Sequence, residues 1–425
     1  MTLPIEHLVQ YARQNSPFYA ALYRDIPHSG WHLHELPLID PAQYWLQSQT
    51  LSSWPVLTGP VIEGHVFKTG GSTGDGKLSV YSREEWCDFV HAFGQGVGTR
   101  LNPGDRVANL FFAGDLYTSF LFIHGALAHS PVPVCEYPFT GGVETNALAQ
   151  AIEAHQINVL ACVPAQLLRF ASQLLERGQV LTSVTLVLYG GESLFEEQLP
   201  MLALVLPNAR YASVGCASVD AGLIGASTPD CLLGEHRVFD GDALVEIIDE
   251  ITGEPIQAVG QTGVLVVTNL QRRLMPLIRY PTGDLAIWCE ADGTEKRKFA
   301  LRGRASQGHR VRLGTLSLFP EEIGGIVKAH LGPVPWQLLI DRVDGMDRLT
   351  LRIAPDGGVR RVVEEGLYAA LLEKYPTIST LSQRNLLRFG IACHTADSLT
   401  FHPRSGKLLR VVDERSYVVQ AELPA

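Results

Sequence analysis

A chain of 425 residues with 46% hydrophobic and 18% charged side chains is globular, and at roughly 100 to 200 residues per domain it holds more than one folding unit. A formal charge of -10 excludes a protein that grips nucleic acid or anionic membrane by overall electrostatics. Positive charge gathers locally toward the C-terminus, at Arg272-Arg273, Arg302 to Arg312 and Arg404 to Arg410, where a negative small molecule would be met. The cysteines (Cys87, Cys135, Cys162, Cys216, Cys231, Cys289, Cys393) are odd in number with no C-x-x-C pair. They predict reduced thiols, a cytoplasmic setting and no zinc site. The N-terminus has no secretory pattern, and no apolar run approaches the roughly 18 residues that span a bilayer.

In chain order, the first 50 residues read as helices: Leu8, Tyr11 and Ala12 share one spacing and Tyr19, Leu22 and Tyr23 the next, broken at Ser16-Pro17. Next comes Phe67-Lys-Thr-Gly-Gly-Ser-Thr-Gly-Asp-Gly-Lys-Leu78. Glycines let backbone N–H groups converge on an anion, while Thr69, Ser72 and Thr73 supply hydroxyls and Lys77 a charge. The spacing from Gly71 to Lys77 fits a Walker A loop, but Leu78 stands where the magnesium-binding hydroxyl belongs. Taken alone, the segment reads equally as a phosphate cradle or as an ordinary glycine-rich turn.

From residue 105 to 215 the pattern alternates. Strands are expected at 106–112, 132–135, 157–163 and 184–189, and helices at 117–128, 148–155 and 165–177, which implies a parallel sheet covered on both faces. Ligands meet such sheets at the carboxyl ends of the strands, and two glycine-bearing turns are expected there: Tyr189-Gly-Gly-Glu-Ser193, and Ala217-Ser-Val-Asp-Ala-Gly222 beyond the apolar Leu202 to Leu206. After residue 240 the chain reads as antiparallel strands, and Leu277 to Leu285 ends an apolar run in a turn that sets Asp284 beside Gly283. That carboxylate suits a sugar diol, or it stabilises its own turn. A boundary is expected near Ala305, followed by a small α+β lobe.

The order of these segments resembles the adenylate-forming superfamily of acyl-CoA synthetases, luciferases and peptide-synthetase adenylation domains, and within it the phenylacetate-CoA ligase branch. Thr69 to Lys77 resembles its phosphate loop, Gly190-Gly-Glu192 its nucleotide-side turn, and Leu277-Ile-Arg-Tyr-Pro-Thr-Gly-Asp-Leu285 its ribose motif. Gly303-Arg304 resembles the start of its hinge, Leu318-Phe-Pro-Glu-Glu-Ile323 the opening of its small domain, and Arg404 to Arg415 its terminal lysine motif. Asn15-Ser-Pro-Phe-Tyr19 also resembles that branch.

The resemblance implies an α/β protein: a large N-terminal domain (1–304) with mostly parallel helix-covered sheets and a β-rich part at about 235–300, then a small mobile C-terminal α+β domain (305–425). It implies adenylation of a carboxylic acid by ATP with Mg2+, then transfer to CoA. On that reading Thr69, Gly70, Gly71, Ser72, Thr73, Gly74 and Lys77 bind the phosphates, and Gly190, Gly191, Glu192 and Ser218 line the nucleotide. Asp284 and Arg304 hold the ribose or phosphate, Asp220 binds the metal, and Lys407 bridges carboxylate and α-phosphate. Phe112, Tyr117, Phe120, Tyr137, Gly191 and Gly222 are the pocket candidates for an aromatic acid, although aromatic side chains at these positions also suit plain core packing.

Departures leave alternatives open. In Cys216-Ala-Ser-Val-Asp-Ala-Gly222, Asp220 stands where the family usually has glutamate and Cys216 where it has the aromatic that lies against adenine. The stretch Arg312 to Pro320 is one residue longer than usual on the thiol-entry side, so transfer to a carrier-protein thiol or an amine competes with CoA. A non-catalytic binding protein of the same fold is a third reading. A homodimer is what the resemblance suggests for assembly, with no nucleic acid and no membrane as partner.

Overall fold

The alternation between residues 105 and 215 folds into a five-stranded parallel sheet in the order Cys135–Tyr137, Arg106–Asn109, Val159–Cys162, Leu186–Tyr189, Arg210–Ser213. Strand periodicity sorts its side chains into two cores. Val107, Val159, Ala161, Leu186 and Leu188 join Phe89, Phe93 and Ile123, from the helices Arg83–Gly98 and Ser119–Ala128. Ala108, Leu160, Cys162, Val187 and Tyr189 face Leu148 and Ile152 of helix Thr145–His155 and Leu167, Phe170 and Leu174 of helix Pro164–Glu176. Both faces are dry, as a parallel sheet requires. This is a computed structural model, and it describes residues 5–68, 77–114, 116–191, 194, 196–239, 241–304, 311–313, 316–318, 320–332, 334–344, 346–355, 361–395, 398–400 and 409–415. The chain divides into two units, Met1–Leu301 and Arg302–Ala425.

Two expectations change. The strand expected at 132–135 begins only at Cys135, because Pro131 and Pro133 have no N–H for a ladder. Leu202 to Leu206 belongs to the helix Leu199–Val205 and its cap, with Pro200 in the first turn and Leu202 and Val205 buried three apart. The parallel strand that precedes 217–222 is Arg210–Ser213. The segment 217–222 forms the tip of an antiparallel hairpin between Cys216–Ser218 and Gly222–Ala226.

That hairpin is the edge of a seven-stranded sheet ordered Ala243–Ile248, Gly263–Asn269, Leu277–Trp288, Lys298–Arg304, Glu235–Val238, Gly222–Ala226, Cys216–Ser218. Its core is shared with the N-terminal helices: Leu8, Tyr19, Tyr23, Tyr44, Trp45 and Trp54 pack with Leu265, Val267, Ile278, Tyr280 and Phe299. The turn expected before Leu285 is instead a bulge inside one long strand. Val266 pairs Pro281 and Val264 pairs Leu285, so the intervening residues are extruded, and Gly283 takes φ +80 to allow it.

The second unit has its own core. A hairpin, Trp336–Val343 with Met346–Ile353, is flanked by the parallel strands Leu387–Cys393 and Val411–Asp413. Leu338, Ile340, Leu349 and Leu351 pack with Ile323 and Val327 of helix Pro320–Leu331 and Leu367 and Leu371 of helix Arg361–Lys374. No helix among the described residues is long and apolar enough to cross a membrane.

A buried histidine gives the large unit a pH limit. His236 packs on Phe299 with Nε2 3.1 Å from Ser213 Oγ, and burial pulls it from the ordinary 6.5 down to about 4. The unfolded chain then binds the extra proton first, so this contribution is intact above pH 6.5 and is lost as pH falls toward 4. Denaturant titration of wild type and His236→Gln at pH 7 and pH 4 checks this: wild type loses about 3 kcal/mol more than the variant over that interval.

Candidate active site

The glycine-rich segment is carried on a two-stranded hairpin. His65–Lys68 pairs antiparallel with Leu78–Tyr81, Lys68 opposite Leu78, and Lys68 N–H donates to Leu116 O (2.9 Å). Thr69, Gly70, Gly71, Ser72, Thr73 and Gly74 lie outside the described residues. Lys77 is exposed, and its Nζ stands 5.4 Å from the Trp45 ring centroid, a cation–π approach.

The second strand of that hairpin is clamped to the turn bearing Asp220. Ser79 Oγ and Tyr81 O–H both donate to Val219 O (2.7 and 3.1 Å). Arg272, 1% exposed, donates to Val80 O (2.6 Å) and Asp220 O (3.2 Å), and its guanidinium lies 3.6 Å from the Tyr81 ring centroid. Asn269 fixes Arg272 in turn. Its Oδ1 accepts from the N–H of Gln271 (2.9 Å) and of Arg272 (3.2 Å), while its Nδ2 donates to Ala221 O (3.0 Å). Gly222 is required there: φ is +72, and a Cβ would stand 2.5 Å from Asn269 Nδ2. Next to Arg272, the buried Glu85 closes a capping box with Ser82 and also accepts from the N–H of Arg273 (2.5 Å) and Leu274 (2.7 Å). The positive patch expected at Arg272-Arg273 is thus half interior: Arg272 is turned to backbone carbonyls.

Asp220 itself is half-buried. Its Oδ2 accepts from Tyr280 O–H (2.9 Å), and Tyr280 oxygen accepts from Trp45 Nε1–H (3.1 Å). Ser218 Oγ accepts from Ala221 N–H (2.9 Å) and hydrogen-bonds the carboxylate. Burial pushes the Asp220 carboxyl up, but the hydrogen bonds of Ser218 and Tyr280 and the charge of Lys77 outweigh it, so its pKa ends below the ordinary aspartate value. Tyr280 moves the other way: burial and the Asp220 charge raise it well above the ordinary phenol, which keeps its proton on for donation.

A carboxylate held ionised, with a lone pair beyond those that accept from Tyr280, Ser218 and Ala221 N–H (3.1 Å), is a chemically suitable magnesium ligand. The described residues contain no group of three or more potential metal ligands, and Mg2+ does not need one, because it binds one or two carboxylates and completes its shell with water and phosphate oxygens.

The remaining candidates fall as follows. Gly190 follows strand Leu186–Tyr189 and is tight, since a Cβ would meet Val214 Cγ2 at 2.5 Å; Gly191 has φ +79 with open space beside it, and Glu192 lies outside the described residues. Asp284 is half-buried in the bulge, with its N–H on Thr282 Oγ1 (3.2 Å). Arg304 ends strand Lys298–Arg304. Phe112, Tyr117 and Phe120 share one reversal after strand Arg106–Asn109, with Phe120 N–H on Phe112 O (2.9 Å). Tyr137 lies with the core on the opposite face of the parallel sheet and stacks on His155 at 5.4 Å, so it is not brought to the other three. Cys216 packs with the N-terminal core and Tyr211 with that of the parallel sheet, so Tyr211 does not replace the missing aromatic.

Lys407 lies outside the described residues, but both flanks are fixed. Fully buried Gln337 donates to Thr400 O (3.0 Å) and Leu409 O (2.7 Å), and Leu409 N–H donates to Thr400 O (3.1 Å). The segment bearing Lys407 thus starts and ends at one buried amide. Gln337, Tyr280, Trp45 and Asn269 were not singled out by the sequence reading, and Arg272 was read as part of a positive patch rather than as an interior clamp. The signal for Tyr280 was its place four residues before Asp284; the others sit inside apolar or basic runs that mark no chemistry.

No family model matches the chain. It is 24% identical to a phenylacetate-coenzyme A ligase of Thermus thermophilus, over 97% of this chain and 95% of that protein. It is 25% identical to one of Aromatoleum evansii, over 82% of this chain and 78% of the relative. Among solved structures, 2-hydroxyisobutyryl-CoA ligase in complex with 2-HIB-AMP and CoA superposes with TM-score 0.66 at 18% identity, over 96% of this chain and 88% of that one. The amide bond synthetase McbA of Marinactinospora thermotolerans gives 0.51 at 17% identity, over 81% and 67%. The fold is that of the adenylate-forming enzymes. In sequence the chain is similar to the phenylacetate-coenzyme A ligases, the branch that its motif order resembles.

The clamp has a measurable cost. Arg272→Met fits the volume but strands two buried carbonyls, and it lowers unfolding stability by about 3 kcal/mol in denaturant titration. Arg272→Lys recovers only part of the loss, because an ammonium lacks the planar fork and ring stacking of a guanidinium.

Proposed function

We propose that this protein activates a carboxylic acid with ATP, forming an acyl-adenylate and pyrophosphate, and then passes the acyl group to CoA with release of AMP. The observation that carries the reading is similarity along nearly the whole chain to proteins named phenylacetate-coenzyme A ligase. The constellation around Asp220 supports it physically.

In the first step a carboxylate oxygen attacks the α-phosphorus and the bond to pyrophosphate breaks. Negative charge builds on phosphate oxygens, so donors and cations must already face them. On this reading Thr69, Ser72, Thr73 and Lys77 hold the β- and γ-phosphates, with Gly70, Gly71 and Gly74 freeing backbone N–H groups. Gly190, Gly191, Glu192 and Ser218 border the nucleotide, and Asp284 and Arg304 take the ribose side. Lys407 bridges the attacking carboxylate and the α-phosphate, a post that suits its long stem and compact charge. Asp220 holds Mg2+, which when bound neutralises charge on the phosphates. In the second step the CoA thiolate attacks the acyl carbon and AMP departs.

We assign an aromatic acid as substrate. The name of the relatives supports this, and so do Phe112, Tyr117 and Phe120, grouped after a parallel strand where such sheets receive ligands.

The test is pyrophosphate release across arylacetic, benzoic and aliphatic acids. Aryl acids are expected to give the highest kcat/KM, with AMP and thioester accumulating only when CoA is added. Turnover of the adenylate by an amine or a carrier-protein thiol, but not by CoA, would move the second step to that acceptor. Lys407→Ala should cut acid-dependent pyrophosphate exchange by roughly 100- to 1000-fold; normal exchange in that variant would sink the adenylation mechanism.

A further inference from the structure

We infer that Trp45 and Tyr280 are positioning residues for MgATP, holding the Asp220 carboxylate in the orientation in which it meets the nucleotide-bound metal. The inference rests on the proposed role of Asp220 and adds the device that aims it. An indole N–H can only donate. Because Trp45 Nε1–H points at the Tyr280 oxygen (3.1 Å), the phenol accepts there and its own proton is directed to Asp220 Oδ2 (2.9 Å). The donor is neutral, so it fixes one carboxylate oxygen without cancelling the charge. A lysine in its place would compete with the metal.

Both residues are buried, Trp45 at 7% and Tyr280 at 2% exposure, and each is locked by neighbours. Trp45 stacks on Trp54 (5.4 Å), whose Nε1–H donates to Tyr44 O (2.9 Å), while Tyr44 and Tyr19 hydroxyls both donate to Pro276 O (2.8 Å each). The N-terminal helices therefore grip the strand that carries Tyr280. The same indole ring also receives Lys77 at 5.4 Å, so Trp45 touches the end of the phosphate segment on one side and the aim of Asp220 on the other.

The experiment uses the full chain and its variants Tyr280→Phe, Trp45→Phe, Asp220→Asn and Tyr280→Phe/Asp220→Asn. ATP affinity is measured calorimetrically with and without Mg2+, alongside thermal unfolding and KM for the acid. Tyr280→Phe should weaken MgATP about tenfold and Trp45→Phe about threefold, with metal-free ATP and KM for the acid unchanged. The double variant should be no weaker than Asp220→Asn alone, because both changes remove one interaction. A general structural loss would instead weaken every ligand together. The inference is overturned if Asp220→Asn weakens MgATP while a folded Tyr280→Phe binds as wild type, or if the two changes add. Should Tyr280→Phe not fold, Trp45→Phe decides, since it keeps the phenol and an aromatic ring toward Lys77 but loses the indole N–H that orients the phenol; wild-type MgATP affinity there overturns the inference. Unchanged MgATP affinity in Asp220→Asn would remove Asp220 from the nucleotide site and fell the underlying assignment with it.

Discussion

Everything in the large unit that bears on the site depends on one interior cation. Arg272 is buried at the meeting of three chain segments, and its charge cannot be left without partners in a medium of low polarity. Its partners are two backbone carbonyls, those of Val80 and Asp220, and the face of Tyr81. Neither carbonyl can turn away without stranding the guanidinium. The hairpin bearing the glycine-rich segment and the turn bearing Asp220 are thereby held in register, and Asn269, which caps Arg272, holds that turn from the other side through Ala221 O.

This arrangement explains why a hairpin can replace a strand-end turn at Asp220. A strand-end turn in a parallel sheet is aimed by the helix that follows it. A hairpin tip has no such helix, so its direction must come from side chains: Ser79, Tyr81 and Arg272 on the backbone, Tyr280 on the carboxylate. Aspartate is one methylene shorter than the glutamate expected at this position, and the shorter arm is fixed by two hydrogen-bonding side chains close to its root, Ser218 and Tyr280. Carboxylate orientation is thus set by the neighbouring strands.

How much of this was legible in the sequence follows from periodicity. The central strands of the parallel sheet were readable because each is a short apolar run bounded by a helical pattern, whereas Arg210–Ser213, with only two apolar residues, was not expected as a strand. The hairpin at 217–222 was not, since three-residue strands leave no period to detect and Leu202 to Leu206 is equally apolar as strand or helix. The bulge before Asp284 was read as a turn because Gly283 gives the same signal for both; only pairing on each side, Pro281 with Val266 and Leu285 with Val264, distinguishes them. Motif order singled out Asp220, Asp284 and Lys77 as candidates. It could not locate Arg272, because a pair of arginines reads as surface charge unless the carbonyls that will meet it are known, and those lie about 50 and 190 residues away in sequence.

The same limit applies to the small unit. Gln337 lies in the apolar run Trp336-Gln-Leu-Leu-Ile and reads there as a polar residue on a strand face. Its amide, however, bonds the two carbonyls at which the segment with Lys407 leaves and rejoins the core. A charged side chain serves catalysis best when the residues that flank it are fixed, because a drifting charge adds positional entropy that must be removed in the transition state. A buried primary amide suits that role better than a charged group. It supplies two donors and an acceptor with no ionic desolvation, and Thr400 uses both functions, accepting from Gln337 Nε2 and donating its N–H to Gln337 Oε1 (3.3 Å). Tyr280 beside Asp220 and Gln337 between Thr400 and Leu409 share one feature: each is a neutral, buried hydrogen-bonding group that fixes its neighbours without adding charge.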